Sequence, residues 1–281
     1  MPELPEVETI KLQLAKFLIG HEIISIEVKN RRVFQGDEKL IVGGKIVNTR
    51  RFGKVTVVDL DNGYSFLTHV KLTGQFIYKG PNLKENGVLS KKVIGGLGGP
   101  HTLVVFSLDN NGKLYYNDVR RFGWIRIEKT EDVEKESFIK KLGKDMLLIT
   151  KVEFKEVLSK SSRNIKVLLM DQTKIGGVGN IYANDALWRS KISPKRKANS
   201  LNEDEIDFLH DSLVFVLKEG LKYGGASELA FVTPDGKEGE YQNHTLVYGH
   251  QAELCKSCKK EKIEKFFLGG RGTYWCNFCQ K

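Results

Sequence analysis

The chain has 281 residues, which is enough for two domains, or for two domains and a small module. Its composition, 40% hydrophobic and 28% charged, is ordinary for a soluble globular protein, and without a run of about 18 apolar residues it is not expected to cross a membrane. The acidic, proline-containing N-terminus is the opposite of a signal peptide, so we expect an intracellular, cytoplasmic protein. The formal net charge of +10 favours a polyanionic partner, with nucleic acid ahead of an acidic membrane surface.

The first half of the chain is predicted to be one helix followed by many short strands. Apolar residues recur at helical spacing over residues 6–19, and Gly20 stands at the position of a C-terminal cap. From residue 22 to residue 129, β-branched and aromatic runs alternate with turn signals, of which 61–63 and 109–112 are typical of hairpins. This pattern favours an antiparallel sandwich or barrel. The predicted strands are residues 24–28, 54–60, 65–68, 76–79, 102–108, 113–116 and 123–128.

The second half is predicted to be helical. It begins with a linker at residues 132–147. Ser200 and Glu203 have the spacing of a capping box, and the helix that follows them carries an apolar face as far as Leu217. Residues 231–244 are polar and rich in turn signals, and they are predicted to form a mobile loop.

All four cysteines lie in the last 27 residues, as two Cys-x2-Cys pairs separated by 17 residues. This spacing, Cys255 with Cys258 and Cys276 with Cys279, indicates a four-thiolate zinc site, and two disulfides or four free thiols are the alternatives. Four thiolates leave no position for water, so a single Zn²⁺ would fold the tail and would take no part in the chemistry.

The cysteine-containing tail is basic. Residues 255–281 contain seven Lys or Arg residues against two acidic ones. Arg271 stands between glycines in a predicted tight turn, where its guanidinium and the backbone could approach a phosphate closely. The alternative is an ordinary solvated hairpin tip.

Pro2 is a candidate nucleophile once Met1 is removed. Its secondary amine would have a pKa of about 8, against about 10.4 for lysine, so an appreciable fraction would be unprotonated at neutral pH. Glu3 and Glu6 stand close by in the sequence and could act as general acid or base. From these residues alone, the stronger interpretation is that proline and glutamate are ordinary residues for the start of a helix.

Several sequence blocks follow one another along essentially the whole chain. They are PELPEVET at residues 2–9, RRFGK at 50–54, HVKLTG at 69–74, NDVRRFG at 117–123, MDQ at 170–172, GVGNIYA at 177–183, VYG at 247–249 and the final cysteine motif ending in CQ at 279–280. In this order they resemble the blocks of the formamidopyrimidine-DNA glycosylases.

The resemblance implies an α+β fold in which DNA lies in the cleft between two domains. Residues 1–131 would form an N-terminal helix and β-sandwich, residues 148–244 a helix-two-turns-helix domain with a lesion loop, and residues 245–281 a zinc finger. The implied protein is a monomer that acts on damaged double-stranded DNA near the nucleoid. It would excise oxidised purines, such as 8-oxoguanine and formamidopyrimidines, and then cleave the strand as a lyase.

The resemblance also assigns residue roles, position by position. Pro2 would attack the deoxyribose C1′ and form a Schiff base, and Glu3 would handle protons. Lys54 would support base removal and β-elimination, and Arg271 would bind phosphate and assist δ-elimination. The implied DNA-binding residues are His69, Leu72, His101, Arg120, Phe122, Arg163, Asn180 and Tyr248.

Leu72, Arg120 and Phe122 are the residues expected to fill the gap that a flipped base leaves in the duplex. The alternative is that Leu72 and Phe122 belong to the sandwich core. Leu72 stands where methionine is common in the family, and Lys259 and Asn277 also depart from the family pattern beside the cysteines.

Two other functions are weighed against this one. An enzyme of the endonuclease VIII type would prefer oxidised pyrimidines, but Leu4 and the Arg121-Phe122 pair argue against it. A catalytically silent zinc-dependent DNA-binding protein would use the basic tail equally well, but it would leave Pro2 and Lys54 unexplained.

Overall fold

The computed structural model of the protein describes residues 1–83 and 88–281. The chain forms two compact units: Met1–Lys140 with Leu221–Gln242, and Lys141–Gly220 with Asn243–Lys281. The segment Leu221–Gln242, which was expected in the helical domain, thus belongs to the first unit. Among the described residues, no helix is both long and apolar enough to cross a membrane.

Within its described residues, the first unit has one long helix and nine strands, together with the short helix α2 (Ser137–Lys140). Helix α1 covers Leu4–Leu18 and begins two residues earlier than predicted, with Pro5 in its first turn. The strands are β1 (Ile23–Val28), β2 (Phe34–Gln35), β3 (Ile46–Phe52), β4 (Val55–Leu60), β5 (Tyr64–His69), β6 (Gly74–Lys79), β7 (Thr102–Leu108), β8 (Lys113–Asp118) and β9 (Trp124–Lys129). The seven predicted strands are present, and β2 and β3 were not predicted.

The nine strands form a sandwich, one of the two predicted architectures, but β2 pairs with β9 in parallel and not in the predicted antiparallel sense. One sheet has the order β1-β7-β8-β6 and the other β2-β9-β5-β4-β3. One apolar core draws residues from both sheets and from α1. The ring of Phe66 from β5, for example, stacks on that of Phe106 from β7 at 5.0 Å. One face of each sheet therefore packs against the other sheet, and α1 contributes Ile10 and Leu14 to the same core.

Two of the connections that pass from one sheet to the other are neighbours at one end of the sandwich. Residues 70–73 lead from β5 to β6, and residues 119–123 lead from β8 to β9. Strands β6 and β8 are antiparallel neighbours, with Gly74 opposite Asp118, and β5 and β9 are antiparallel neighbours, with His69 opposite Trp124. The two connections, which we call the crossover loops, therefore run side by side.

The sequence predicted a mobile loop at residues 231–244, and several residues of this stretch are buried in the first unit. Phe231 joins the apolar core of the sandwich, and Val232 and Tyr241 are also buried. This segment is mostly polar in sequence, so its few apolar residues were not recognised as core residues.

The second unit is helical and ends in a hairpin. Its elements are α3 (Lys151–Ser159), α4 (Ile165–Leu169), α5 (Asn180–Arg189), α6 (Glu203–Lys222), β10 (Glu264–Leu268) and β11 (Arg271–Trp275), and the last two residues of α6 belong to the first unit. The capping box predicted for α6 at Ser200 and Glu203 is wrong by two residues. Asn202 caps this helix, because its side chain accepts the amide of Glu205 at 2.9 Å and the Glu205 carboxylate accepts the amide of Asn202 at 2.9 Å.

Candidate active site and metal centre

The residues predicted to carry the chemistry stand at the start of α1. Pro2 and Glu3 are both buried, and Glu3 directly precedes the first helical residue. The amide of Glu3 donates to Glu6 Oε2 at 2.7 Å, and Glu6 Oε1 accepts the amide of Ala226 at 2.7 Å. Each oxygen of this buried carboxylate thus accepts a hydrogen bond from a backbone amide. Glu6 therefore joins the N-terminus to the segment Leu221–Gln242 within the first unit.

Gly225 allows that junction to form. Its φ of +88° favours glycine, and a Cβ at this position would lie 2.8 Å from Glu6 Cγ and 3.1 Å from Phe231 Cε1. A side chain at position 225 would therefore force the segment away from Glu6.

Lys54 lies buried in the turn between β3 and β4. Arg51 ties this turn to α1, since its Nε donates to Glu8 Oε2 at 2.6 Å and its Nη1 donates to the carbonyl oxygen of Gly53 at 2.9 Å. Burial acts to raise the pKa of Glu8, but hydrogen bonds and charge from Arg51 and a neighbouring lysine outweigh it and lower the pKa below its ordinary value. The ion pair is therefore formed at neutral pH, and it fixes the turn that carries Lys54.

His69 is buried among aromatic rings, with 5% of its surface exposed. Its ring centroid lies 5.9 Å from that of Trp124 and 5.6 Å from that of Phe138. Burial, followed by the charges of Lys71 and Lys54, lowers the pKa of His69 to about 3. The ring is thus neutral near pH 7, and its Nδ1 accepts the amide of Lys71 at 3.1 Å. This geometry makes His69 a support for its crossover loop, and a contact with DNA stays a prediction.

The three predicted gap-filling residues all lie on the crossover loops, and we call Leu72, Arg120 and Phe122 the insertion residues. Leu72 is half-buried, and Arg120 and Phe122 are exposed. The Arg120 guanidinium carbon lies 4.8 Å from the centre of the Phe122 ring. With 55% of its surface exposed, Phe122 is not part of the sandwich core.

His101 is the remaining predicted DNA-binding residue of the first unit. It directly precedes β7 and is partly exposed. Its carbonyl oxygen accepts the amide of Asp118 at 3.0 Å, which places it beside the strand end from which a crossover loop leaves.

In the second unit, Asn180 and Arg271 meet at the finger hairpin. Asn180 begins α5, and its Nδ2 donates to the carbonyl oxygen of Gly272 at 3.1 Å. The buried Lys166 donates its Nζ to the same oxygen at 2.9 Å and to Thr273 Oγ1 at 2.8 Å. Two donors therefore hold the hairpin directly beside the exposed Arg271.

The turn before Arg271 is built from glycine. Gly269 and Gly270 have φ values of +57° and +71°, and they connect Leu268 to its cross-strand partner Arg271. Two successive positive φ values are typical of a type I′ hairpin turn. The sequence predicted a tight turn that includes Arg271, whereas Arg271 is the first residue of β11 and pairs with Leu268.

Arg163 and Tyr248 also lie in the second unit. Arg163 Nη1 donates to Asp171 Oδ2 at 2.6 Å, and Arg163 keeps 47% of its side chain exposed. The Tyr248 ring lies 4.9 Å from that of Tyr274, and its amide donates to the buried carboxylate of Asp185 at 3.0 Å.

The four cysteines converge on one point. Their sulfur atoms all lie within 4.8 Å of one another, and Sγ of Cys255 is 3.8 Å from that of Cys279, as Sγ of Cys258 is from that of Cys276. A disulfide would need about 2.05 Å. A tetrahedron of sulfurs about 2.3 Å from a metal has edges of about 3.8 Å, so the cluster has the size of a four-thiolate metal site.

One thiol of the cluster is already disposed to ionise. Hydrogen bonds from the backbone amides of Glu261 and Lys260 lower the pKa of Cys258 to about 6. Burial raises the pKa of Cys276 to about 12, so the support for a metal centre comes from the sulfur geometry and not from the thiol pKa values.

Three buried polar residues that organise these sites were not predicted: Asp118, Lys166 and Asp185. Asp185 accepts the amides of residues 246–248, and Lys166 holds the finger hairpin. Lys166 and Asp185 each interrupt an apolar helical stretch, which was the available signal.

The comparisons with known proteins agree with this geometry. The family model of the formamidopyrimidine-DNA glycosylase N-terminal domain matches residues 1–125, and that of the formamidopyrimidine-DNA glycosylase H2TH domain matches residues 142–231. A formamidopyrimidine-DNA glycosylase of Pelotomaculum thermopropionicum is 36% identical over 100% of this chain and 99% of its own length.

Two solved structures are similar over nearly the whole chain. The MutM (Fpg) protein of Thermus thermophilus superposes with a TM-score of 0.86 at 32% identity, over 99% of this chain and 98% of its own. The Fpg (MutM) protein of Lactococcus lactis, in a complex with DNA containing N7-benzyl-Fapy-dG, superposes with a TM-score of 0.85 at 32% identity, over 100% of both chains.

These similarities define a DNA glycosylase with a helix-two-turns-helix domain. The chain belongs to the formamidopyrimidine-DNA glycosylase family. The predicted family and α+β fold class are confirmed, and so is the predicted class of enzyme, a DNA glycosylase with abasic-site lyase activity.

Proposed function

We propose that the chain excises 8-oxoguanine and formamidopyrimidines from duplex DNA through a Schiff base on Pro2, and then cleaves the strand by β,δ-elimination. The supporting observation is the placement of Pro2, Glu3 and Lys54 within the first unit. Pro2 and Glu3 lie at the start of α1, and Lys54 lies in a turn that Arg51 bonds to the same helix.

The proposed reagent is the secondary amine of Pro2, with a pKa of about 8 when it is a free N-terminus. Met1 has to be removed first, because the Pro2 nitrogen is an unreactive amide while Met1 is attached. The amine attacks C1′ of the damaged nucleoside, the bond from C1′ to the base breaks, and the base leaves with a proton. Glu3 is the carboxyl group closest in the chain to this nitrogen, and we assign it the movement of protons there.

The C1′–O4′ bond of the sugar ring then breaks, O4′ takes up a proton, which we assign to Glu3, and an iminium remains between Pro2 and C1′. Strand cleavage follows from this iminium. The iminium draws electrons, so a proton is lost from C2′ and the 3′ phosphate departs, and a second proton loss expels the 5′ phosphate. We assign base removal and the first elimination to Lys54, and the phosphate contact and second elimination to Arg271. Water finally releases the sugar fragment from Pro2.

The remaining predicted residues are assigned to holding the DNA. Leu72, Arg120 and Phe122 would fill the gap left by the flipped nucleotide, because an apolar wedge, a guanidinium and an aromatic ring can stack between bases. The other proposed DNA contacts are His69, His101, Arg163, Asn180 and Tyr248.

We assign the four-cysteine cluster to one structural Zn²⁺, because an all-thiolate tetrahedron is a usual zinc environment. The cation would cross-link the two ends of the finger and leave the reaction to the side chains. A monomer is proposed as the working form, at the nucleoid where its substrate lies.

The substrate class has support from a relative. The Lactococcus lactis protein was solved with DNA containing N7-benzyl-Fapy-dG, a purine-derived lesion. We extend that class, ring-opened and oxidised purines, to this chain.

Borohydride trapping tests the proposal. The full-length protein, with loss of Met1 verified by intact mass, is reduced with borohydride in the presence of duplexes carrying 8-oxoguanine opposite cytosine, a formamidopyrimidine or an oxidised pyrimidine. We expect a covalent adduct with the purine lesions, none with Pro2→Gly, and retention of the adduct in the matched control Pro5→Ala.

The alternatives predict other outcomes. Trapping mainly on the oxidised pyrimidine would replace the substrate assignment with that of an endonuclease VIII type. An adduct that persists in Pro2→Gly would assign the Schiff base to another amine. Absence of an adduct on every lesion would contradict the whole mechanism and favour a silent DNA-binding protein.

A further inference from the structure

We infer that Asp118 is a positioning residue that locks the two crossover loops together, so that the insertion residues enter the duplex as one preformed unit. The inference rests on the proposed function, because it takes the gap-filling role of these residues as given. It adds a residue to which no role was assigned from the sequence.

Asp118 is the last residue of β8, and 1% of its surface is exposed. Its Oδ1 accepts the Thr73 hydroxyl and, at 3.1 Å, the amide of Arg120. Its Oδ2 accepts the amide of Gly123 at 2.8 Å. The carboxylate therefore bonds to both loops, and it spans the second loop from one end to the other.

The loops also contact one another at the same point. The amide of Arg120 donates to Thr73 Oγ1 at 3.2 Å, while that hydroxyl donates to Asp118. Thr73 stands one residue after Leu72, so each bond is adjacent to an insertion residue. A displacement of one loop would be transmitted to the other through these bonds.

The chain is tightly packed at the C-terminal ends of both crossover loops. A Cβ at Gly74 would lie 2.7 Å from the Tyr116 hydroxyl, and a Cβ at Gly123 would lie 1.9 Å from it. Tyr116 precedes Asp118 by two residues on β8, so both side chains face the same side of the strand. One strand end thus supplies the packing surface and the hydrogen-bond acceptor for both loops.

Each loop contains one non-glycine residue in the left-handed region of the backbone. Lys71 has a φ of +52° and Arg121 a φ of +55°, and each is next to an insertion residue in the sequence. Such conformations persist where the surroundings hold them, here the acceptors on His69 and Asp118.

A fixed arrangement serves the proposed reaction because extruding a base from the stack costs a few kcal/mol. Loops that became ordered only on the DNA would add the cost of their own ordering, whereas a preformed pair does not. The competing interpretation is that Asp118 only stabilises the sandwich, and an experiment has to separate the two.

Asp118→Asn in the full-length, metal-loaded protein is the test, because an amide replaces one acceptor oxygen with a donor that faces backbone N–H groups. Cleavage is measured on an abasic site in duplex DNA and on the same site in single-stranded DNA, where no gap has to be filled. The fluorescence of 2-aminopurine opposite the abasic site reports insertion directly.

We expect Asp118→Asn to lower kcat/KM on the duplex roughly 10- to 100-fold, as loss of buried hydrogen bonds can, and to leave the single-strand value within about threefold. The 2-aminopurine signal should fall in parallel with the duplex rate. Thr73→Val should reduce the duplex rate in the same direction, and Thr73→Ser, which keeps the hydroxyl, should restore it.

Asp59→Asn is the matched control. Asp59 is a buried carboxylate of the same unit that bonds Arg50 and Ser65 and lies outside both crossover loops. It should lower the melting temperature without changing the ratio of duplex to single-strand activity. Equal losses on the two substrates for Asp118→Asn, or the same ratio change in Asp59→Asn, would overturn the inference.

Leu72→Ala separates failure of this inference from failure of the proposed function. If Leu72→Ala lowers the duplex-to-single-strand ratio and Asp118→Asn does not, only the positioning role is overturned. If neither Leu72→Ala nor Phe122→Ala changes that ratio or the 2-aminopurine signal, the insertion role is wrong and the positioning role fails with it.

Discussion

The imidazole of His69 works as a hydrogen-bond acceptor, and this requires a neutral ring. Only an unprotonated Nδ1 can accept the amide of Lys71. Protonation would break that bond and would place a third positive charge beside Lys54 and Lys71. The burial of His69 lowers its pKa most, and the positive charges of Lys71 and Lys54 lower it further. Acid should therefore destabilise the loop that carries Leu72.

The sign of this effect follows from proton linkage. The pKa of His69 is about 3 in the folded chain, against about 6.5 for an unfolded histidine. Below pH 6.5 the unfolded chain binds one more proton, so stability falls as the pH drops through this window. From pH 7 to pH 5 the free energy of unfolding should fall by about 2 kcal/mol through His69 alone.

Urea unfolding of the wild type and of His69→Asn at pH 5, 6 and 7 measures this contribution. Asparagine keeps an acceptor near the position of Nδ1 but does not titrate, so the variant should lose about 2 kcal/mol less between pH 7 and pH 5. His250→Asn, in the second unit, serves as the comparison for removing a histidine as such. Parallel pH profiles for the wild type and His69→Asn would contradict the prediction.

At the scale of elements, the N-terminal cap of α6 lies two residues after the cap that the sequence predicted. Asn202 caps the helix, whereas the Ser200 hydroxyl donates to the carbonyl of Lys197 inside a short 3₁₀ turn. Asn202→Ala should therefore cost about 1 kcal/mol of unfolding free energy, and Ser200→Ala close to none. Thermal or urea unfolding of the two variants decides between the caps, and the reverse order would restore the position predicted from the sequence.

Elements with a local sequence signal could be predicted, and elements that depend on distant contacts could not. Helix α1, the hairpins and the cysteine site were predictable because their signals are local periodicity and spacing. Strand β3 was not, because its polar side chains obtain partners only across the sheet, as Arg50 does from Asp59. Pro2 and Lys54 became candidates through the family resemblance. Asp118 stood inside one of the same blocks, but its role depends on a contact with Thr73, 45 residues away in the chain.

Gly225 determines how closely the segment Leu221–Gln242 can approach Glu6 at the start of α1. Gly225→Ala combines a left-handed backbone with a Cβ 2.8 Å from Glu6 Cγ, so we expect a loss of about 2 to 4 kcal/mol in unfolding free energy. Gly224→Ala is the matched control, since its φ is +69° but its nearest neighbour would be 3.7 Å away. It should cost about 1 kcal/mol. Equal losses would show that contact with Glu6 adds nothing.

At the scale of the whole molecule, the division into two units predicts that a metal should control only one of them. The four-cysteine cluster and Arg271 belong to the second unit, and Pro2 and Lys54 belong to the first. The tryptophans divide in the same way: Trp124 reports on the first unit, while Trp188 packs on the apolar core of the finger and Trp275 directly precedes Cys276.

Removal of the metal by a chelator under reducing conditions should therefore unfold the finger and leave the sandwich intact. Metal binding supplies much of the folding free energy of small thiolate fingers, so the finger should not persist without it. We expect the fluorescence of a variant that retains only Trp275 to change on chelation, and that of a variant that retains only Trp124 to stay the same. Affinity for abasic-site DNA should fall together with the Trp275 signal, because the turn that presents Arg271 is lost.

Restoration by zinc separates this effect from damage to the protein. One equivalent of Zn²⁺ should recover both the Trp275 signal and DNA affinity, Mg²⁺ should recover neither, and Cys258→Ser should resemble the chelated wild type before any chelator is added. If Trp124 and Trp275 change together, the two units unfold as one, and the metal stabilises the sandwich as well as the finger. If neither changes although the metal has left, the Lys166 and Asn180 bonds to Gly272 hold the hairpin without it.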